Sequence, residues 1–248
     1  MRYFIKLSYF GKAYHGWQIQ PNAISVQEVL ENRLSKVLDK AISVVGAGRT
    51  DAGVHARQLF AHFDVERELN TDDLVFRLNC MLPSDIAVQE MFRVAENAHA
   101  RFDALSRSYE YHIIQNKDVF NFDQAYLLKN EVDLETMNAS ARKLLMHTNF
   151  KCFSRSRTDV KTYNCRIDRA EWVKMDEKIV FHITADRFLR NMVRAIVGTL
   201  LEVGLGRQSL EYVDKVIKSE DRGEAGASVP AHGLYLTRIT YPEYIREL

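Results

Sequence analysis

A loop rich in glycine holds the residues with the clearest chemical potential. Residues 46–55 read Gly-Ala-Gly-Arg-Thr-Asp-Ala-Gly-Val-His. The spacing fits neither the G-x-G-x-x-G nor the G-x-x-x-x-G-K-[ST] phosphate-binding pattern, and no helix is predicted to follow. Two interpretations stay open. The segment is an ordinary turn, in which glycine and aspartate are common, or its glycines let the backbone approach a ligand and hold Asp51 at the edge of a cleft, with Arg49 two residues away.

A lone carboxylate needs neighbouring groups before it can act as a nucleophile or a base. Burial raises its pKa, whereas an adjacent guanidinium lowers the pKa and keeps the group ionised. Three candidate guanidiniums lie at i, i+3 and i+7 of a predicted helix, on Arg187, Arg190 and Arg194. A solvated helix face is the alternative explanation for all three. We expect Arg194, which has apolar neighbours on both sides, to be half-buried and paired.

Aromatic and histidine residues form a second group of candidates. Tyr109 and Arg107 share one face of a predicted strand. Ordinary strand packing explains this pair, and the functional alternative is a ring that stacks on a nucleic-acid base. The histidines His55, His62 and His112 have no helical metal-ligand spacing, so we predict no metal site.

Charge is distributed unevenly along the chain. The net charge is only +1, but residues 142–194 hold 13 Lys and Arg against 6 Asp and Glu. The remainder is acidic, with 21 basic and 27 acidic residues. A basic face for a polyanion and a solvated face without a partner both fit this asymmetry.

The composition is that of a globular protein. Of the 248 residues, 46% are hydrophobic and 27% are charged, which excludes a mainly disordered chain. No run approaches the roughly 20 apolar residues of a membrane-spanning helix, and Lys6 interrupts the apolar core that a signal peptide needs. The three cysteines form no C-x-x-C pair, which is typical of reduced thiols. We therefore expect a cytoplasmic protein without disulfides or structural zinc.

Hydrophobic periodicity predicts short strands and helices in both halves of the chain. The predicted strands are at about 2–10, 42–46, 57–65, 85–94, 105–115, 166–175, 178–186 and 234–240. The predicted helices are at about 26–38, 71–82, 134–146, 189–201 and 210–218, with Ser25 and Asp133 as caps and Gly204 as a C-terminal cap. We expect an α+β fold in which two similar α/β halves, 1–105 and 106–248, share a central, mostly antiparallel mixed sheet. The helices would cover one face, and a cleft would lie between the halves.

Seven segments, taken together, resemble the TruA-type tRNA pseudouridine synthases. Besides 46–56, they are 14–18 (Tyr-His-Gly-Trp-Gln), 82–86 (Leu-Pro-Ser-Asp-Ile), 99–102 (His-Ala-Arg-Phe), 107–111 (Arg-Ser-Tyr-Glu-Tyr), 188–198 and 233–236. The resemblance spans nearly the whole chain. One position departs from the family pattern, because Phe10 precedes Gly11 where an aspartate is usual. This change affects local loop contacts and leaves the reaction class unchanged.

The resemblance implies an isomerisation that needs no cofactor. The C1′–N1 bond of uridine breaks, the uracil turns while still bound, and a C1′–C5 bond forms. Asp51 is then the nucleophile, which attacks either the sugar carbon or the uracil ring. Arg194 pairs with this aspartate. Tyr109, with Arg107 beside it, stacks on the target base, and Arg49 orients the loop or a phosphate.

The implied partner is tRNA, bound at the anticodon arm by a homodimer near positions 38, 39 and 40. The target base must flip out of the stem, at a cost of a few kcal/mol. Phosphate contacts from the basic segment, for which the candidates are Arg155, Arg157 and Lys161, can offset that cost. Two alternatives stay open: a non-catalytic RNA-binding protein on the same scaffold, and a nucleotide-binding metabolic enzyme suggested by the glycine loop alone.

Overall fold

The computed structural model describes residues 1–155 and 160–246, within which the chain forms nine strands and five α-helices. The predicted α+β class and the mixed, mostly antiparallel strand pairing are confirmed. The chain divides into two compact units, Met1–Leu105 with the C-terminal stretch from Leu236, and Ser106–Tyr235. The C-terminal stretch therefore groups with the first unit, whereas the sequence-based division placed it in the second half.

The first unit is built on antiparallel strands. Strand β1 (Arg2–Tyr9) lies between β3 (His55–Asp64) and β4 (Ile86–Val94), and the short β2 (Val45–Gly46) pairs with β3. The helices of this unit are α1 (Val26–Leu38) and α2 (Thr71–Met81). The predicted cap of α1 is confirmed, because the backbone N–H of Glu28 donates to Ser25 Oγ at 3.2 Å.

The predicted strand at 42–46 is only partly correct, since β2 contains its last two residues alone. Side chains of α1 hold the backbone of Val44 instead. Gln27 Nε2 donates to the Val44 carbonyl at 3.0 Å, and the Val44 N–H donates to Glu31 Oε1 at 2.8 Å. These groups are therefore committed to the helix and cannot extend the ladder.

The second unit is also built mainly on antiparallel strands. Strand β8 (Lys178–Ala185) pairs antiparallel with β5 (Ser106–Ile114) and β7 (Ile167–Met175), and β6 (Tyr126–Leu127) pairs parallel with β5. Strand β9 (Leu234–Thr240) begins in this unit and ends in the first. The helices are α3 (Leu134–Lys143), α4 (Met192–Gly204) and α5 (Tyr212–Ser219).

The start of α4 corrects the predicted arginine face. Asn191, the N-cap residue, has a left-handed backbone with φ of 66°, so the helix begins only at Met192. Arg187 and Arg190 therefore precede the helix, and the spacing that placed them on one face with Arg194 was wrong. Gly204 is the last helical residue rather than a cap. At 13 residues α4 is one of the longest helices, and no helix of the described chain is both long and apolar enough to cross a membrane.

An asparagine from a helix binds the edge strand of each unit. The side-chain amide of Asn79, in α2, donates to the carbonyl of Val88 and accepts its N–H, both at 2.8 Å. In the second unit, Asn138 of α3 does the same for Trp172, at 2.9 and 2.8 Å. Each amide thereby takes the place that a backbone group of a further strand would occupy.

Candidate active site

The loop that carries Asp51 connects β2 to β3 within the first unit. Its start is fixed to β3, since the Ala47 N–H donates to the Phe60 carbonyl at 2.8 Å. At its end, the Val54 N–H donates to the carbonyl of Asp51 at 3.2 Å and closes a tight turn. The Asp51 side chain is partly exposed. Because β3 rather than a helix follows, the loop lacks the helix N-terminus that a nucleotide-binding loop offers to phosphate.

The segment from Tyr14 to Trp17 brackets this turn on both sides. The Trp17 N–H donates to the carbonyl of Thr50 at 3.4 Å, and the Gly53 N–H donates to the carbonyl of Tyr14 at 3.2 Å. Gly16 has a φ of +88°, and a Cβ there would lie 2.2 Å from the Thr50 oxygen. Only glycine fits this position. The residues on either side of Asp51 are thus held by backbone contacts.

Two further side chains hold the loop, and sequence reasoning did not assign either of them to it. The hydroxyl of Tyr9, at the end of β1, forms a 2.8 Å hydrogen bond with Thr50 Oγ1, next to Asp51. The ring of Tyr9 stacks on buried Trp17, with centroids 6.4 Å apart. Strand alternation places Tyr9 at the end of a buried face, but no sequence signal predicts its contact with a residue 41 positions away.

The segment at 82–86 supports the loop indirectly through Asp85. The hydroxyl of Tyr14 donates to Asp85 Oδ1 at 2.6 Å, and the Phe10 N–H donates to the Asp85 carbonyl at 2.8 Å. Burial, followed by the Asp85 carboxylate, raises the pKa of Tyr14 well above its usual value. Tyr14 therefore stays protonated and acts as a fixed donor. Two segments singled out in the sequence, 14–18 and 82–86, thus support the Asp51 loop.

In the second unit, Tyr109 lies on β5 opposite Ile183 of β8. Its partly exposed ring meets the ring of Phe188 edge to face, with centroids 5.1 Å apart. Nearby, Arg107 Nη1 donates to the carbonyl of Asp186 at 2.7 Å. The tyrosine thus has a fixed orientation, and the arginine is anchored to the chain that leads into α4.

Arg194 is the one arginine of the predicted trio that lies within α4, and it is half-buried as expected. Its Nε donates to the carbonyl of Val229 at 2.7 Å. The segment that supplies this carbonyl is itself held, because Arg222 donates to Ser228 Oγ at 2.8 Å and to the Gly226 carbonyl at 3.2 Å. Sequence reasoning missed Arg222, whose spacing from α4 carries no periodic signal.

Helix α4 and the segment beside it touch backbone to backbone. A Cβ at Gly198 would lie 1.8 Å from the Ala227 oxygen, and a Cβ at Gly226 would lie 2.7 Å from the Gly198 carbonyl carbon. The Gly226 N–H donates to Thr199 Oγ1 at 2.9 Å. The position of Val229, and with it the direction of the Arg194 guanidinium, is set by this contact.

Comparison with known proteins identifies the family. The profile of a family described as tRNA pseudouridine synthase matches residues 6–103 and 141–242, which is most of the chain. The chain belongs to the tRNA pseudouridine synthase family. The family and the isomerase class predicted from the sequence are therefore confirmed.

Curated relatives of this synthase match over nearly their full length. A protein named tRNA pseudouridine synthase A from Parabacteroides distasonis is 51% identical over 245 residues, covering 98% of this chain and 96% of the relative. The protein of that name from Bacteroides thetaiotaomicron is 52% identical over 247 residues, covering 98% and 92%. A more distant one, from Francisella tularensis subsp. novicida, is 39% identical over 247 residues, covering 98% and 95%.

The basic segment of the synthase is less positive in effect than its composition indicates. Arg155 and Lys161 are exposed, and Arg157 lies outside the described residues. Four other basic residues of the segment form ion pairs with acids: Lys143 with Asp214, Lys151 with Glu220, Arg166 with Asp168, and Arg169 with Glu171. Asp168 and Glu171 are already counted among the acids of the segment, so only the pairs with Asp214 and Glu220, which lie outside it, reduce its excess of positive charge.

Three other ionisable side chains of the synthase, those of Tyr111, Cys152 and Cys165, are buried. The Tyr111 hydroxyl donates to the Pro230 carbonyl at 2.9 Å, and burial raises its pKa. Cys152 and Cys165 are buried, which raises the pKa of both thiols, whereas Cys80 is exposed. Within the described part of the chain, no three His, Cys, Asp or Glu residues form a group that could hold a metal ion.

Proposed function

We propose that this protein converts uridine to pseudouridine in tRNA with Asp51 as the nucleophile. The most direct evidence for this proposal is that neighbouring residues hold the Asp51 loop in place. Thr50 and Gly53, on either side of the turn, are held by contacts from residues 9–17, while the aspartate itself stays partly exposed. A carboxylate presented from a rigid turn is suited to attack a carbon atom in a bound substrate.

The reaction requires no net gain or loss of atoms. The carboxylate of Asp51 attacks either C1′ of the ribose or the uracil ring, the C1′–N1 bond breaks, and the base rotates in place. A bond then forms between C1′ and C5, and the bond between Asp51 and the substrate breaks, which restores the carboxylate. The proton on C5 is lost and N1 gains one, so that uridine and pseudouridine are isomers. The proposal leaves both points of attack open.

The remaining site residues have supporting roles in this proposal. Arg194 would pair with Asp51 and place a cation beside the nucleophile. Tyr109 would stack on the flipped base, and its fixed edge-to-face contact with Phe188 supports a preset ring orientation. Arg107 would contact the same nucleotide, and Arg49 would orient the loop or a backbone phosphate.

We further propose that the two units are similar α/β halves. Each unit contains three antiparallel strands and a helix whose asparagine binds the edge strand. This shared device supports a common origin of the halves. The anticodon arm, near positions 38 to 40, would be the part of tRNA that binds, recognised by its shape. A homodimer belongs to the same proposal, and sedimentation of the purified protein at twice the chain mass would support it.

The substitution Asp51→Asn tests the nucleophile. We expect pseudouridine formation in transcribed tRNA to be lost, with tRNA affinity largely retained, because the amide keeps the shape of the carboxylate and lacks its nucleophilicity. Site mapping of pseudouridine and a binding titration measure the two quantities. The matched control is Asp39→Asn, at an exposed left-handed position that asparagine tolerates. Turnover by Asp51→Asn at the rate of this control would refute the proposal.

The substitution of Arg155, Arg157 and Lys161 by alanine tests the RNA contacts. If all three bind phosphates, tRNA affinity falls and the slope of log affinity against log salt decreases by roughly one unit per contact. Removing Arg166, whose charge is paired with Asp168, is the control and should change the slope little. An unchanged slope in the triple variant would place the RNA elsewhere.

A further inference from the structure

Phe10 departs from the family pattern, and the structure gives it a specific neighbour. Its ring stacks on the imidazole of His55, with centroids 4.2 Å apart and planes 15° from parallel. His55 is only 1% exposed, and its Nδ1 accepts the backbone N–H of Gly11 at 2.9 Å. Accepting at Nδ1 requires that the ring proton be on Nε2. One histidine therefore binds two consecutive residues, one by stacking and one by a hydrogen bond.

These contacts lie where the β1–β3 ladder ends. The last paired residues are Tyr9 and Ala56, and the pairing is irregular just before them. Beyond this pair, Gly11 approaches Val54 so closely that a Cβ at Gly11 would lie 2.0 Å from the Val54 oxygen. The stack thus extends the association of β1 and β3 past their last backbone pair.

The same contacts fix the base of the Asp51 turn. Val54 adjoins His55 and closes the turn through its N–H bond to the Asp51 carbonyl. A displacement of His55 therefore moves Val54 and the turn it closes. On the other side, Phe10 is tied to Asp85 through its N–H. The histidine is a rigid link between this support and the turn.

We propose that Phe10 and His55 are positioning residues for Asp51. In this chain the stack of Phe10 on His55 and the hydrogen bond from the Gly11 N–H to His55 provide this link. Neither side chain needs to touch the RNA, and their effect is on the placement of the Asp51 carboxylate. This inference rests on the proposed role of Asp51 as nucleophile.

Three variants test the link. Phe10→Leu keeps an apolar side chain and removes the stack. His55→Phe keeps the stack and removes the acceptor of the Gly11 N–H. Phe10→Trp keeps the stack and is the conservative control. The measurements are the single-turnover rate with saturating enzyme, the tRNA dissociation constant and the denaturant midpoint. We expect the first two variants to lose roughly tenfold to a hundredfold in rate, with tRNA affinity within about twofold of wild type, and Phe10→Trp to retain the rate.

The outcomes separate positioning from simple folding. Rates within about twofold of wild type in both Phe10→Leu and His55→Phe overturn the inference, as does a rate loss fully explained by the unfolded fraction or by weaker tRNA binding. If buried His55 does not tolerate replacement, the two Phe10 variants decide alone, since Phe10 is only partly buried. Activity retained in Asp51→Asn would refute the proposed role of Asp51 as nucleophile. That measurement does not depend on the Phe10 and His55 variants, so the two proposals can fail separately.

Discussion

The substitution Gly198→Ala tests whether the backbone contact beside α4 sets the position of Arg194. The new Cβ would lie 1.8 Å from the Ala227 oxygen, where ordinary contact begins near 3.4 Å, so the two backbones must separate by about 1.6 Å. Alanine in a helix interior normally gains about 1 kcal/mol over glycine. Overpacking typically costs 1–3 kcal/mol, and a clash between backbones belongs at the upper end. We expect a net loss of about 2 kcal/mol in the free energy of unfolding.

The effect on turnover should exceed the effect on stability. Val229 is two residues beyond Ala227, and its carbonyl accepts Arg194 Nε at 2.7 Å. A separation of this size breaks that hydrogen bond and leaves the guanidinium without its fixed direction. Misplacement of a catalytic constellation by about 1 Å can cost a factor of 100 in rate. We therefore expect a single-turnover rate about 100-fold below wild type for the folded variant.

Gly204→Ala, on the same helix, is the matched control. Its Cβ would lie 2.4 Å from Cγ and 2.5 Å from Sδ of Met137, a flexible side chain that can rotate away. Denaturant titration and single-turnover assays of both variants measure the two effects. If Gly198→Ala equals Gly204→Ala in stability and rate, the close contact does not fix Arg194 and the reasoning is wrong.

Three other measurements test separate parts of the structure. Burial raises the pKa of Cys152 to about 12, so iodoacetamide should alkylate Cys80 in the native protein and spare the buried thiols, and mass spectrometry showing equal labelling would contradict this. Burial, followed by the charge of Arg2, lowers the pKa of His62 to about 4. Since unfolded histidine titrates near 6.5, the unfolded chain binds more protons between these values, and stability should fall as the pH drops from about 6.5 towards 4. His62→Gln should flatten that slope in denaturant titrations, and an unchanged slope would exclude this histidine as its source. Asn79→Ala and Asn138→Ala each remove two hydrogen bonds to an edge strand, and each should lower the free energy of unfolding by about 2 kcal/mol. Denaturant midpoints equal to that of wild type would contradict this prediction.

The sequence was most informative where the signal is local. The Asp51 loop, the cap of α1 and most strands follow from turn residues, capping residues and alternation, all of which act within a few positions. The roles of Asp51, Arg194 and Tyr109 stay predictions. The half-buried state of Arg194 could be predicted because apolar residues adjoin it on both sides.

Errors arose where a single backbone conformation or a distant group decides the local structure. The apolar spacing that suggested a helix from Leu189 continues through Asn191, whose left-handed backbone delays the start. The backbone of Val44 is bound by α1 side chains, so a β-like sequence forms only a short strand. The contacts of Tyr9 with Thr50 depend on tertiary packing, which no periodicity encodes.

The asparagines on the edge strands have a consequence for association between molecules. An open strand edge is a template on which a second chain can add a strand and begin aggregation. At Val88 and at Trp172 the template positions are already occupied by a side-chain amide, which has the donor and acceptor of a peptide group but cannot propagate a ladder. An invading strand would have to displace that amide before it gained its first pair of bonds. Two asparagines thus stop growth of the sheet at both places while leaving the rest of the surface unchanged.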